Sequence, residues 1–120
     1  MAKNLRITLL TYIFLAAPLL QAQSMGSDDK LWESEQLYVS TIYPNPAVNV
    51  ITLDYRLLDF NTKASIVIRN VIGSEMGVFH LNSAETNVTM QLDNFSSGIY
   101  FYTLQVDGQE IVTKKFMVNK

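Results

Sequence analysis

Residues 98–118, Gly98-Ile99-Tyr100-Phe101-Tyr102-Thr103-Leu104-Gln105-Val106-Asp107-Gly108-Gln109-Glu110-Ile111-Val112-Thr113-Lys114-Lys115-Phe116-Met117-Val118, read as one β-hairpin. Ile99–Val106 offers Tyr100, Tyr102, Leu104 and Val106 to one side, and Gln109–Val118 offers Val112, Phe116 and Val118. Successive strand side chains point to opposite faces, so this alternation is what a half-buried strand requires. Asp107-Gly108 separates the two runs. Both central positions of a type I′ turn need positive φ, which Asp and Gly tolerate, so the runs are expected to pair through a tight turn.

Period-two patterning continues upstream. Five further strands are expected at Leu37–Tyr43, Val48–Tyr55, Lys63–Asn70, Glu75–Leu81 and Asn87–Leu92. Ile51, Leu53 and Tyr55 share one face of the second. Ala64, Ile66 and Ile68 oppose Ser65, Val67 and Arg69 in the third, and Val88, Met90 and Leu92 face inward in the fifth. Gly73 should turn the chain after Asn70-Val71-Ile72, and Phe95 should plug the loop Asn94 to Gly98 from inside. Short strands with turns about every ten residues predict an all-β fold, an immunoglobulin-like β-sandwich of about seven antiparallel strands. With no cysteine in the chain, the Cys…Trp…Cys pattern of antibody domains is absent and no disulfide can staple the fold.

The front of the chain is of another kind. Lys3 and Arg6 precede an apolar run from Ile7 to Leu20, about fourteen residues broken only by Thr8 and Thr11. This is the pattern of a signal peptide helix, and it is short of the roughly 20 residues that span a bilayer. Residues 1–22 are therefore expected to be a signal peptide read by the Sec machinery, with cleavage after Ala22; a retained anchor is the alternative. Residues 23–36 read as a polar, flexible leader with few apolar residues (Met25, Leu31, Trp32), and residues 37–120 as the β-domain. Trp32 reads either as an exposed contact for a partner or as a plug on the sandwich edge. Of nine basic residues, loss of Lys3 and Arg6 leaves seven against eleven acidic, a net charge near −4. Such a surface does not attract nucleic acid or an anionic membrane. About 98 remaining residues make one domain.

Tyr43-Pro44-Asn45-Pro46 is the strongest local feature. Two prolines fix two φ angles, remove two N–H donors and push Tyr43 and Asn45 toward extended geometry. The motif reads as a rigid corner of the sandwich or as a pre-organised loop that a receptor grips at low entropic cost. Gly98 can take the positive φ that opens the strand of Tyr100, whose hydroxyl can bond nearby backbone as in a tyrosine corner. Lys114-Lys115 reads as a charged edge that resists unwanted pairing, or, with Lys120, as a basic patch. His80 is the sole histidine and no cysteine accompanies it, so a His/Cys metal site lacks ligands; no serine sits in a nucleophile turn, and one histidine gives little scope for a catalytic triad. Carboxylates are scattered, and no paired acid–base site or calcium loop is visible.

These residues together resemble a known family. Tyr43-Pro44-Asn45-Pro46-Ala47, Val50-Ile51-Thr52-Leu53, Ile66-Val67-Ile68 with Asn70-Val71-Ile72-Gly73, Leu92 to Tyr100, and Val112 to Val118 match in order and spacing. The stretch from about Tyr38 to Lys120 is similar to the type A C-terminal sorting domain of the type IX (Por) secretion system of Bacteroidetes. Asn70 stands where Asp is common in that family. The resemblance implies a protein that crosses the inner membrane, passes through the periplasm and is delivered to the cell surface or medium. Its partners would be the type IX outer-membrane translocon and a sortase, with attachment to lipopolysaccharide or release. It implies no cofactor and no catalysis. Translocon recognition would fall on Pro44, Asn45, Pro46, Gly98, Tyr100, Lys114, Lys115 and Lys120. Cleavage before Leu37 would leave only about fourteen residues of cargo. A competing expectation is a small secreted sugar-binding or adhesive sandwich, suggested by Trp32, Tyr38, Tyr55 and Tyr102, which needs several aromatics exposed on one flat face.

Overall fold

The computed structural model describes residues 29–120; the expected signal peptide and the first part of the leader lie outside them. The described chain is all-β, with eight strands. They are β1 (Lys30–Glu33), β2 (Leu37–Ser40), β3 (Val50–Leu57), β4 (Ala64–Arg69), β5 (Glu75–Leu81), β6 (Asn87–Gln91), β7 (Gly98–Val106) and β8 (Gln109–Val118). Two four-stranded sheets form, in the orders β1-β2-β3-β6 and β5-β4-β7-β8, with every strand pair antiparallel. This is the expected sandwich.

The β7–β8 hairpin closes as its sequence requires. Val106 pairs with Gln109, and the turn between them has φ +51 at Asp107 and +85 at Gly108. The Asp107 carboxylate also accepts the Lys63 N–H at 3.0 Å, and Asp107 N–H donates to the Lys63 carbonyl at 2.8 Å. The turn is thereby tied to the start of β4.

The core lies between the sheets. Val39, Ile51, Leu53 and Tyr55 meet Ile66, Ile68, Tyr102, Leu104 and Phe116, all buried. A buried polar bond crosses it: the Ile42 N–H donates to the Tyr102 hydroxyl at 3.2 Å. Val67, on the outward side of β4 by alternation, is buried as well. Its strand is internal, and Val78 and Thr103 flank it in the same cross-strand row.

The polar leader is corrected in part. Lys30–Glu33 is a strand rather than flexible chain, pairing Trp32 with Val39 and Glu33 with Tyr38. Leu31 is buried in the core cluster, and Trp32 packs against that cluster as the edge plug. The physical reason is the backbone of β2, whose outer N–H and C=O groups need partners. Asp29 extends the join, its carbonyl accepting Thr41 N–H at 2.8 Å, and Gln36 extends the β2–β3 ladder, its carbonyl accepting Leu58 N–H at 2.8 Å.

Candidate functional site

Four segments distant in sequence meet at one end of the sandwich: the corner at 43–47, the turn at 70–73, the loop at 94–98 and the tail at 117–120. Proline supplies no N–H, so the corner cannot pair along its length like a strand. The peptide bonds before Pro44 and Pro46 are both cis. Pairing is taken over by the residues around the prolines. Asn45 Oδ1 accepts the Met117 N–H at 3.0 Å, Ala47 N–H donates to the Met117 carbonyl at 2.8 Å, and Asn119 N–H donates to the Ala47 carbonyl at 2.7 Å. Ala47 and Val118 form a parallel bridge. The corner thus adds a two-residue rung to the outer edge of β8.

The 94–98 loop is held from three sides. Tyr100 donates its hydroxyl proton to the Ser96 carbonyl at 2.8 Å, the backbone bond expected of a tyrosine corner. Its ring lies 4.9 Å from Phe95 and 5.7 Å from Phe116, centroid to centroid, within the range of favourable aromatic pairs. Gly98 opens β7 with φ +155, a conformation L side chains rarely adopt. Lys120 closes the arrangement. Its N–H donates to Ser97 Oγ at 2.9 Å, and its ammonium donates to the Leu92 and Asp93 carbonyls.

The 70–73 turn is built by Asn70, whose Oδ1 accepts N–H bonds from Ile72 at 3.1 Å and Ser74 at 2.9 Å. Gly73 supplies φ +88. Both side chains between them project outward: Val71 is 67% exposed and Ile72 82%. Val71 also lines a surface groove with Asn94, Ser96, Gly98 and Ile99. Of nine large exposed apolar residues among those described, six lie on these four segments or next to them: Tyr43, Val48, Val71, Ile72, Ile99 and Met117. Concentrated exposed apolar surface marks an interaction site. Tyr43 also donates to Asp54 Oδ1 at 2.9 Å, and that carboxylate raises the Tyr43 pKa above the ordinary phenol value.

The structure brings most of the expected recognition residues to this end and separates others from it. Pro44, Asn45 and Pro46 are exposed. Tyr100 is buried, so it acts by holding the loop. The Lys120 ammonium is committed to loop carbonyls. Lys114 and Lys115 are both exposed farther along β8 and make no ion pair among the described residues. Val71, Ile72, Ile99 and Met117 are exposed at the same end and are not among the expected residues. The alternation that turns Tyr100 and Phe116 inward puts Ile99 and Met117 outside.

Trp32, Tyr38, Tyr55 and Tyr102 do not form one exposed aromatic face: Trp32 and Tyr38 are half-buried and the other two are buried. Tyr55 and Tyr102 are 3% and 2% exposed. The Tyr55 hydroxyl is held by Asn82, donating to its carbonyl and accepting its N–H, each at 3.0 Å.

Comparison with known proteins identifies the family. Residues 41–119 match the family described as the secretion system C-terminal sorting domain. The match covers more than half of the chain, and the chain belongs to that family of type IX sorting domains. A relative is an ulvan lyase of Nonlabens ulvanivorans, 28% identical over 88 residues. That alignment covers 72% of this chain and 16% of the relative, so the chain spans a small fraction of that protein's length. Membership ties the module to the type IX secretion system and to export to the cell surface or extracellular space.

Proposed function

We propose that residues 29–120 act as a folded address read by the type IX outer-membrane translocon, and that the surface read is the end of the sandwich where the four segments meet. The observation that carries this reading is the clamp of the proline corner onto the C-terminal strand. Asn45 and Ala47 hold Met117 and Asn119, so two motifs some seventy residues apart present one surface. A receptor that meets a preformed surface pays little ordering entropy. The exposed Val71, Ile72 and Ile99 supply apolar area, and Pro44 and Pro46 supply a stiff rim.

In this reading the module has no chemistry of its own. Export across the inner membrane belongs to the signal peptide and the Sec machinery. A surface sortase then removes the module, and what precedes it is attached to lipopolysaccharide or released. The small share of the lyase covered by the alignment supports an accessory role for the common segment; the lyase activity belongs to that protein.

The test is delivery of a reporter fused ahead of residues 29–120, behind an export signal, in a host with a type IX system. Surface or medium delivery that is lost on deleting Asp107–Lys120 supports the proposal. Equal delivery with and without those residues removes it.

A further inference from the structure

Four strands lie at sheet edges: β1, β6, β5 and β8. Edge strands present unpaired N–H and C=O groups to any chain that can pair with them. On β8 the groups that point outward are identified by the clamp. Met117 gives its N–H to Asn45 and its carbonyl to Ala47, both outside the β7–β8 ladder. Antiparallel ladders alternate, so the groups of Lys115 and Thr113, two and four residues back, point the same way. Neither residue has a backbone bond outside the sheet among those described. Thr113, Lys114 and Lys115 are all exposed. The proline corner therefore fills one end of this edge and leaves the stretch beside it open.

Charge selects what can fill that stretch. Lys114 and Lys115 stand on opposite faces of β8, opposite Tyr102 and Phe101, and neither has a carboxylate partner among the described residues. The other edges differ: β5 carries Glu75 and His80 and no lysine or arginine. The charges of β1 satisfy each other through Lys30 and Glu33 at 3.0 Å, and β6 carries none. The nearby Glu110 is engaged by Arg69 at 3.1 Å. A second copy pairing β8 against β8 across this stretch would set lysines opposite lysines, which destabilises a cross-strand pair. An extended segment with neighbouring carboxylates would meet both.

We propose that the open stretch Thr113–Lys115 of β8 is a docking edge for an extended, acidic segment of another protein, which adds to the sheet as a further strand. The inference deepens the reading of the module as a translocation address by naming the chemistry of a partner. Backbone bonding supplies affinity in this mode, and the two lysines supply selection and exclude self-pairing.

The test uses the full chain and two octapeptides of threonine and valine, one with two adjacent central glutamates and one with two lysines. Exchange of the Thr113 and Lys115 amide protons is followed by NMR. The expected result is slowing of both amides by the glutamate peptide, at least ~5-fold more than by the lysine peptide. The double variant Lys114→Glu/Lys115→Glu should reverse the preference. Equal effects of the two peptides, or none from either, would overturn the inference, as would a charge-reversed variant that keeps the original preference. Reporter delivery without peptide selectivity would reject the docking edge and leave the address intact; selectivity without delivery would do the opposite.

Discussion

Asn45 Oδ1 accepts a hydrogen bond from the Met117 backbone N–H at 3.0 Å, across 72 residues of chain. The amide oxygen stands where the carbonyl of a neighbouring strand would stand. The flanking prolines fix the corner's shape but cannot pair through their nitrogens, so the side chain supplies the missing pairing group. One residue thereby couples the start of the matched region to its end.

Asn45→Ala removes that acceptor from a partly solvated edge and should cost about 1 kcal/mol. Asn45→Asp keeps an acceptor and should cost less. Urea unfolding of the two variants checks this, with a lower midpoint and an unchanged slope for Ala. Faster amide exchange at Met117 should accompany it.

Tyr102 sits in the core and accepts the Ile42 N–H. Tyr102→Phe leaves that buried N–H without a partner, and the expected loss is about 1–3 kcal/mol. The same phenol gives a pH signature. Burial raises its pKa above 10.0, and the Ile42 N–H lowers it by less. The folded state thus holds its proton more tightly than the unfolded state. Its contribution is full below the unfolded value near pH 10.0 and is lost as pH rises through the raised folded value. Denaturant midpoints measured from pH 9 upward should fall more steeply for the parent than for Tyr102→Phe.

Leu31 tests whether β1 belongs to the folded unit. Its side chain closes the core under an edge strand, so Leu31→Ala should cost about 2 kcal/mol. A flexible leader would make the substitution neutral. Thermal unfolding separates the two cases, and protection of Glu33 and Glu35 from a glutamate-specific protease gives a second reading.

The sandwich is legible because most of its strands alternate over five residues or more, and the Asp107-Gly108 turn has its own chemistry. β1 escapes the same reading. Four residues, Lys30-Leu31-Trp32-Glu33, give too short a period, and their reason to be extended is the bonding need of β2, which sequence does not display. Val67 is hidden by lateral neighbours on an internal strand, a consequence of strand order rather than of local pattern. The site divides similarly. Pro44 to Pro46 announce a stiff corner, whereas the exposure of Val71 and Ile72 follows from how Asn70 folds the turn onto itself. Lys120 looks like surface charge until its loop carbonyls are seen.

The most direct measurement is surface delivery of the reporter fusion carrying Val71→Asp and Ile72→Asp, compared with the parent in the same type IX host. Both side chains project into solvent, so the unfolding free energy from urea titration should stay within about 0.5 kcal/mol of the parent. The account predicts a stably folded module whose reporter no longer reaches the surface. Delivery at the parental level by an equally stable variant would contradict it.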